Sequence, residues 1–301
     1  MAAAAQFIHR SAREPGPVSD MTKVGLWMVG ALASFTTMAI CGRELAGDLS
    51  TFQILFWRSM VGLVMISALL TRFGWGQIRT HSIGIHLLRN AAHFGGQFGW
   101  FFAIAMIPLV EVFALEFTTP IWTAVMASIF LRERLTSGRI VAIAIAFVGV
   151  LVILRPGLTV VGIGSLAALG AALGYATAHT TTRFLAQRDT PLCILFYMTV
   201  MQLPMGLVPA LHGWIWPHGM EWFWLALVGI TAMSAHYTLT RALKLAEAAV
   251  VVPIEFMRLP LIAVVGYVFY GEALEIWVGI GGVLVCGGIL LNLRDAERRQ
   301  T

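Results

Sequence analysis

Ten predominantly apolar runs, each long enough to cross hydrocarbon as a helix, leave this chain little choice of fold. They fall at residues 23–41, 52–71, 85–107, 110–131, 138–154, 162–182, 190–211, 221–241, 247–270 and 274–293. Roughly 20 apolar residues in a helix span the ~30 Å core of a bilayer. In lipid the backbone must satisfy its own hydrogen bonds, so these runs are read as α-helices. The connections are too short to hold a soluble domain, and one integral membrane unit accounts for the chain. Composition agrees. Only 12% of residues are charged and 58% are hydrophobic, with a mean hydropathy of +0.82, against about a quarter charged in a soluble domain. The net charge of +5 is scattered in short clusters between the runs, which argues against a nucleic-acid surface. Cys41, Cys193 and Cys286 show no redox or metal-ligand spacing. They are read as packing residues, and no cofactor or metal is expected.

Lysine and arginine orient the helices. The N-terminus, alternate connections and the C-terminus hold Arg10, Arg13, Lys23, Arg72, Arg79, Arg89, Arg132, Arg134, Arg139, Arg183, Arg188, Arg241, Lys244, Arg294, Arg298 and Arg299, which is 16 of the 20 basic residues. The opposite set holds Arg43 and Arg155. By the positive-inside rule both termini are cytoplasmic. Residues 1–22 lack the sustained apolar core of a secretory signal and are expected to form a disordered cytoplasmic tail, with 295–301 a second one. Trp214, Trp216, Trp222 and Trp224 flank an outer connection, where an interfacial aromatic belt belongs.

The two halves look alike. "LRERLTSGRIVAIAIAFVGVLVILR" ends the first and "YGEALEIWVGIGGVLVCGGILLNLR" the second, with Glu133 as far from Arg155 as Glu272 is from Arg294. Upstream, "AIAMIPLVEVFALEFTTP" resembles "ALKLAEAAVVVPIEFMRLP", which places Glu116 against Glu255 and Pro120 against Pro260 within a residue. Five helices per copy is an odd number, so the second copy enters the membrane upside down. Residues 23–155 and 156–294 are therefore expected as two inverted repeats, an arrangement that marks secondary transporters with a midplane site. The fifth and tenth runs have almost no polar centre. They are expected to face lipid or a second copy of the chain in a homodimer.

These stretches resemble the EamA type of the drug/metabolite transporter superfamily. The match to its pattern of alanine, apolar stretch, mid-helix proline and loop-opening glutamate runs through "AIAMIPLVEVFALEFTTPIWTAVMASIFLRERL" and again through "ALKLAEAAVVVPIEFMRLPLIAVVGYVFYGEAL". The resemblance implies ten helices in two inverted five-helix halves around a central cavity. It also implies a small-molecule substrate, with amino acids and cofactor-like metabolites among those carried. Arg258 stands where the family often has an uncharged residue.

Charges at membrane depth are costly and default to functional readings. Glu255 and Arg258 share a helical face three residues apart; they either fix a helix against its neighbour or bind a solute, with Arg258 meeting an anionic group. Glu116, Thr119 and Thr123 form a stripe beside Pro120. Glu116 and Glu255 are the proton-coupling candidates. Arg58 either snorkels to the outer interface or partners Glu116. His93, Gln97 and Trp100 follow Asn90 along one face of the third run, and Tyr175 shares a face with His179 on the sixth. Packing roles remain open for each. Pro120, Pro204, Pro253 and Pro260 each free a backbone carbonyl. No HExxH, histidine box or aspartate-rich motif is present, so catalysis is not expected. A channel or receptor-like protein is the alternative to a carrier moving a polar or amphipathic metabolite across the inner membrane by alternating access.

Overall fold

A computed structural model describes residues 18–130, 137–155, 161–186, 188–245, 258–273 and 275–297. Eleven α-helices lie among them: α1 (Val18–Leu45), α2 (Thr51–Phe73), α3 (Ile83–Met106), α4 (Leu109–Glu116), α5 (Thr119–Phe130), α6 (Ser137–Leu154), α7 (Ile163–Ala186), α8 (Pro191–Ala210), α9 (Glu221–Leu245), α10 (Arg258–Tyr270) and α11 (Ile276–Glu297). The described residues form no strand beyond an isolated bridge between Ala46 and Leu49.

The helix starts follow local chemistry. Ser50 closes a capping box with Gln53 at the head of α2. Thr190 caps α8 through the Cys193 amide, with Pro191 at the first helical position. Within Thr22–Leu45, Thr51–Phe73 and Pro191–Ala210 the chain is long and apolar enough to cross a bilayer alone. Shorter apolar helical stretches follow at Ile140–Ile153, Leu261–Tyr270 and Ile276–Gly288, while α3 buries a polar face against its neighbours.

The fourth run is not one helix. It breaks at Phe117 and Thr118 into α4 and α5, so the stripe from Glu116 to Thr123 is interrupted. The cause is Pro120, which has no N–H to return to the Glu116 carbonyl. The Thr119 hydroxyl donates to that carbonyl instead, at 2.6 Å. A freed carbonyl at membrane depth has to find such a substitute.

The helices pack chiefly as pairs: α1 with α9, α2 with α8, α3 with α7, and α6 with α11. Small residues let the backbones meet. Gly96 and Gly99 lie against Ala171 and Ala167, and Gly174 lies against Ala92, so α3 and α7 run antiparallel. On α6 and α11, Gly149 faces Gly281 and Val285 while Gly288 faces Ala142 and Ala146. Both helices thus spend their small faces on each other, and only their outer faces, with Phe147 and Val283 exposed, are left for lipid. The homodimer expected through this pair remains a proposal about those outer faces. Trp57 packs edge to face on Trp222 and tilted on Trp214, and Gln53 Nε2 donates to the Ile215 carbonyl, which ties the α8–α9 connection down onto α2.

Candidate functional site

Glu116 closes α4 and Arg258 opens the described part of α10, so one carboxylate from the first half meets one guanidinium from the second. Arg258 Nη2 lies 3.5 Å from Glu116 Oε1, and both side chains are nearly buried. Glu116 is the eighth and last residue of its helix, about 10 Å from the helix start at ~1.5 Å per residue. Trp100 Nε1 donates to Glu116 Oε2 at 2.8 Å. The Arg258 guanidinium also lies 4.6 Å from the Phe35 ring centroid, 5.5 Å from Phe113 and 5.8 Å from Phe117. Three aromatic faces around a cation offset part of its lost hydration. Pairing with Arg58, one of the two readings left open for that arginine, is not seen; Glu116 pairs with Arg258 instead. Glu255, like Pro253, lies outside the described residues.

Arg58 does not snorkel. It is 4% exposed, and Nη1 donates to Gln97 Oε1 at 3.1 Å. From there a chain of bonds follows the polar face of α3. Gln97 Nε2 reaches His93 Nδ1 at 2.9 Å. Gln202 Nε2 reaches the same nitrogen at 2.9 Å and Asn90 Oδ1 at 3.3 Å. Arg89 Nη1 donates to Asn90 Oδ1 at 2.7 Å, and Arg89 Nε donates to Thr182 Oγ1. With Gln97 Oε1 committed to Arg58, its amide nitrogen must donate, so His93 Nδ1 is an acceptor and the ring proton sits on Nε2. His236 lies edge-on to His93 with centroids 4.9 Å apart, and Tyr175 lies 5.8 Å away.

The structure therefore brings Glu116, Arg258 and Trp100 together, gathers Arg58, His93, Gln97 and Tyr175 into an adjoining network, and uses Thr119 to repair the helix break. His179, four residues beyond Tyr175 on α7, is exposed. Arg89 is a correction. Read as a connection residue from its place near the start of the third run, it is buried in α3 at 3% exposure, and the basic bias of the connections survives without it. Gln202 and His236 were not foreseen. Gln202 carried a usable signal, a lone amide in an apolar run two residues before Pro204.

Two further clusters hold the ends of the helices. Arg43 Nη2 bonds Glu272 Oε1 at 2.7 Å and the Ile107 carbonyl at 2.8 Å, while Glu272 Oε2 accepts from the Leu109 amide. This clasp joins the end of α1, the α3–α4 connection and the end of α10. At the opposite end Asp189 accepts from Thr80 Oγ1 and lies 2.8 Å from His86 Nε2. His86, Asp189 and Cys193 offer ligand atoms within 4.8 Å of one another, a grouping that sequence spacing did not show. The Thr80 and His86 bonds already occupy Asp189, and its role is to fasten the α2–α3 connection. An open apolar hollow of about 760 Å³ between α3 and α7, lined by Gly95, Phe98, Phe102 and Gly170 among others, holds none of the charged groups.

The profile of the EamA-like transporter family matches the chain twice, over residues 22–155 and 162–294. A riboflavin transporter of Brucella anthropi is 29% identical over 248 residues, covering 80% of this chain and 87% of the relative. An S-adenosylmethionine uptake transporter of Rickettsia prowazekii is 22% identical, covering 90% and 92%. A pseudopaline exporter of Pseudomonas aeruginosa is 26% identical, covering 89% and 95%. One solved structure superposes with a TM-score of 0.67 at 18% identity, covering 93% of this chain and 99% of its own; at that identity the likeness shows the fold alone. With two matched stretches that together take in most of its length, the chain belongs to the EamA-like transporter family, as a multi-pass membrane transporter of a small molecule and not an enzyme.

Proposed function

We propose that the chain is a secondary active transporter carrying a polar or amphipathic metabolite, an amino acid or cofactor-like solute, across the inner membrane by alternating access. The observation that carries this reading is the caged ion pair, with Glu116 supplied by one half and Arg258 by the other. A buried pair contributes little net stability, so its natural use is recognition. Named relatives that move riboflavin, S-adenosylmethionine and pseudopaline suit a solute of cofactor size. The repeat-equivalent contacts of α6 and α11, in which residue numbers rise on one helix as they fall on the other, support two inverted halves of five spans each. Both termini are placed in the cytoplasm by the arginine and lysine bias, and Glu116 with Glu255 are the groups assigned to proton coupling.

Saturable, concentration-dependent flux of a candidate metabolite into proteoliposomes is the deciding test. Flux that rises linearly without saturation would favour a channel and overturn the carrier. Glu116→Gln is expected to remove the pH dependence of that flux while leaving solute exchange; retained pH dependence would take Glu116 out of the coupling role.

In this orientation the Arg43–Glu272 clasp seals the outer end. Glu272→Ala frees Arg43 and uncaps the α4 start, and the outer ends should part. Cys41, buried two residues before Arg43, reports it. With Cys193 and Cys286 replaced by serine, an impermeant maleimide added outside should label Cys41 several times faster in the Glu272→Ala chain. Equal labelling would show that the clasp is not the seal.

A further inference from the structure

We propose that the Arg58–Arg89 network is a second subsite, built for an oxyanion group, carboxylate or phosphate, at the far end of the transported solute. The inference rests on the carrier reading and extends it to substrate chemistry. Both guanidiniums are buried, at 4% and 3% exposure. Among the described residues neither has a carboxylate partner. Arg58 donates to Gln97, and Arg89 to Asn90 and Thr182, and every one of those acceptors is neutral. Arg58 Nε is buried with no hydrogen-bond partner at all. The nearby acids are engaged elsewhere: Glu116 with Arg258 and Trp100, Asp189 with His86 and Thr80.

Two buried cations joined by neutral amides and an imidazole are far from a satisfied arrangement. Burying a charge without its counter-ion is costly, and the planar fork of arginine matches carboxylate or phosphate oxygens in pairs. An oxyanion at this place would complete the donors that the protein leaves open. The two subsites lie on one face of α3, from Trp100 beside Glu116 down to Arg89. Those 11 residues span about 16 Å at 1.5 Å per residue, so a solute with an aromatic or cationic end and an anionic end fits both at once.

The experiment is thermal unfolding of the purified full chain in detergent, titrated with inorganic phosphate or succinate against chloride at matched ionic strength. A saturable rise in Tm with the oxyanions and not with chloride is expected. Arg58→Gln and Arg89→Gln should each weaken that response at least tenfold, while leaving the anion-free Tm unchanged or higher, because each removes an uncompensated charge. Arg58→Lys, which keeps the charge and loses the fork, should stay folded and show a response weakened several-fold. An equal response to chloride, or an undiminished response in the glutamine variants, would overturn the subsite. An anion-free Tm that falls in both variants would overturn it too, since the arginines would then be structural. Release of radiolabelled phosphate from loaded proteoliposomes at the rate of solute flux would reassign the anion to a co-ion. Saturable flux with no oxyanion response defeats the subsite alone; an oxyanion response with no saturable flux defeats the carrier reading.

Discussion

Arg258→Gln is expected to lower solute flux about thirtyfold or more while the chain still inserts and folds. Removing one member of a buried, hydrogen-bonded charge pair costs roughly 2–5 kcal/mol, and each 1.4 kcal/mol is about a factor of ten. The loss arises because Glu116, held by Trp100 at 2.8 Å, stays in place facing an amide where it had faced a cation. Trp100 still donates to that carboxylate, so the cost to folding is smaller than the cost to recognition. The double variant Glu116→Gln, Arg258→Gln removes both charges and should recover thermal stability without recovering flux. Flux in proteoliposomes, with Tm of the same preparations, gives the cycle. Undiminished flux in Arg258→Gln would remove this residue from the site.

Gly149→Val should be among the most damaging single changes to the fold. A Cβ on Gly149 would sit 2.7 Å from the Gly281 carbonyl oxygen and 2.8 Å from the Val285 amide nitrogen. Both are backbone atoms in a helix and cannot turn aside, so the two axes must separate along their length. Overpacking a well-filled contact costs roughly 1–3 kcal/mol, and a clash with backbone lies at the upper end. Gly288→Val meets the Ala142 carbonyl oxygen at 2.6 Å and the Ala146 amide nitrogen at 2.9 Å, so its effect should match that of Gly149→Val. The fraction of chain recovered folded from membranes measures both. Wild-type recovery of either variant would show that the contact yields.

The apolar helices were legible because a membrane helix writes its character directly into hydropathy. The polar face of α3 was legible as well, since Asn90, His93, Gln97 and Trp100 repeat at helical spacing. Depth and partners were less legible. Arg89 stands six residues into α3, and nothing in one sequence separates an arginine at the membrane surface from one drawn inward by Asn90 and Thr182 on another helix. The partner of Glu116 was left open for a related reason, as helical spacing fixes which residues share a face but says nothing of which face the next helix presents. Glu272 was foreseen only as a loop-opening glutamate. Its bond to Arg43, 229 residues away in the chain, is a tertiary fact with no local trace.

The reciprocal contacts between α6 and α11 carry a thermodynamic consequence. Each contact on one helix is answered by its counterpart on the other; with the two halves as inverted copies, as proposed, exchanging their roles would rebuild a near-copy of the same packing from the opposite side. Two arrangements assembled from near-duplicate parts are almost isoenergetic, and a small difference in ligand affinity between them is then enough to redistribute the population. Duplication would supply the switch with a nearly level balance, so that the solute itself tips it.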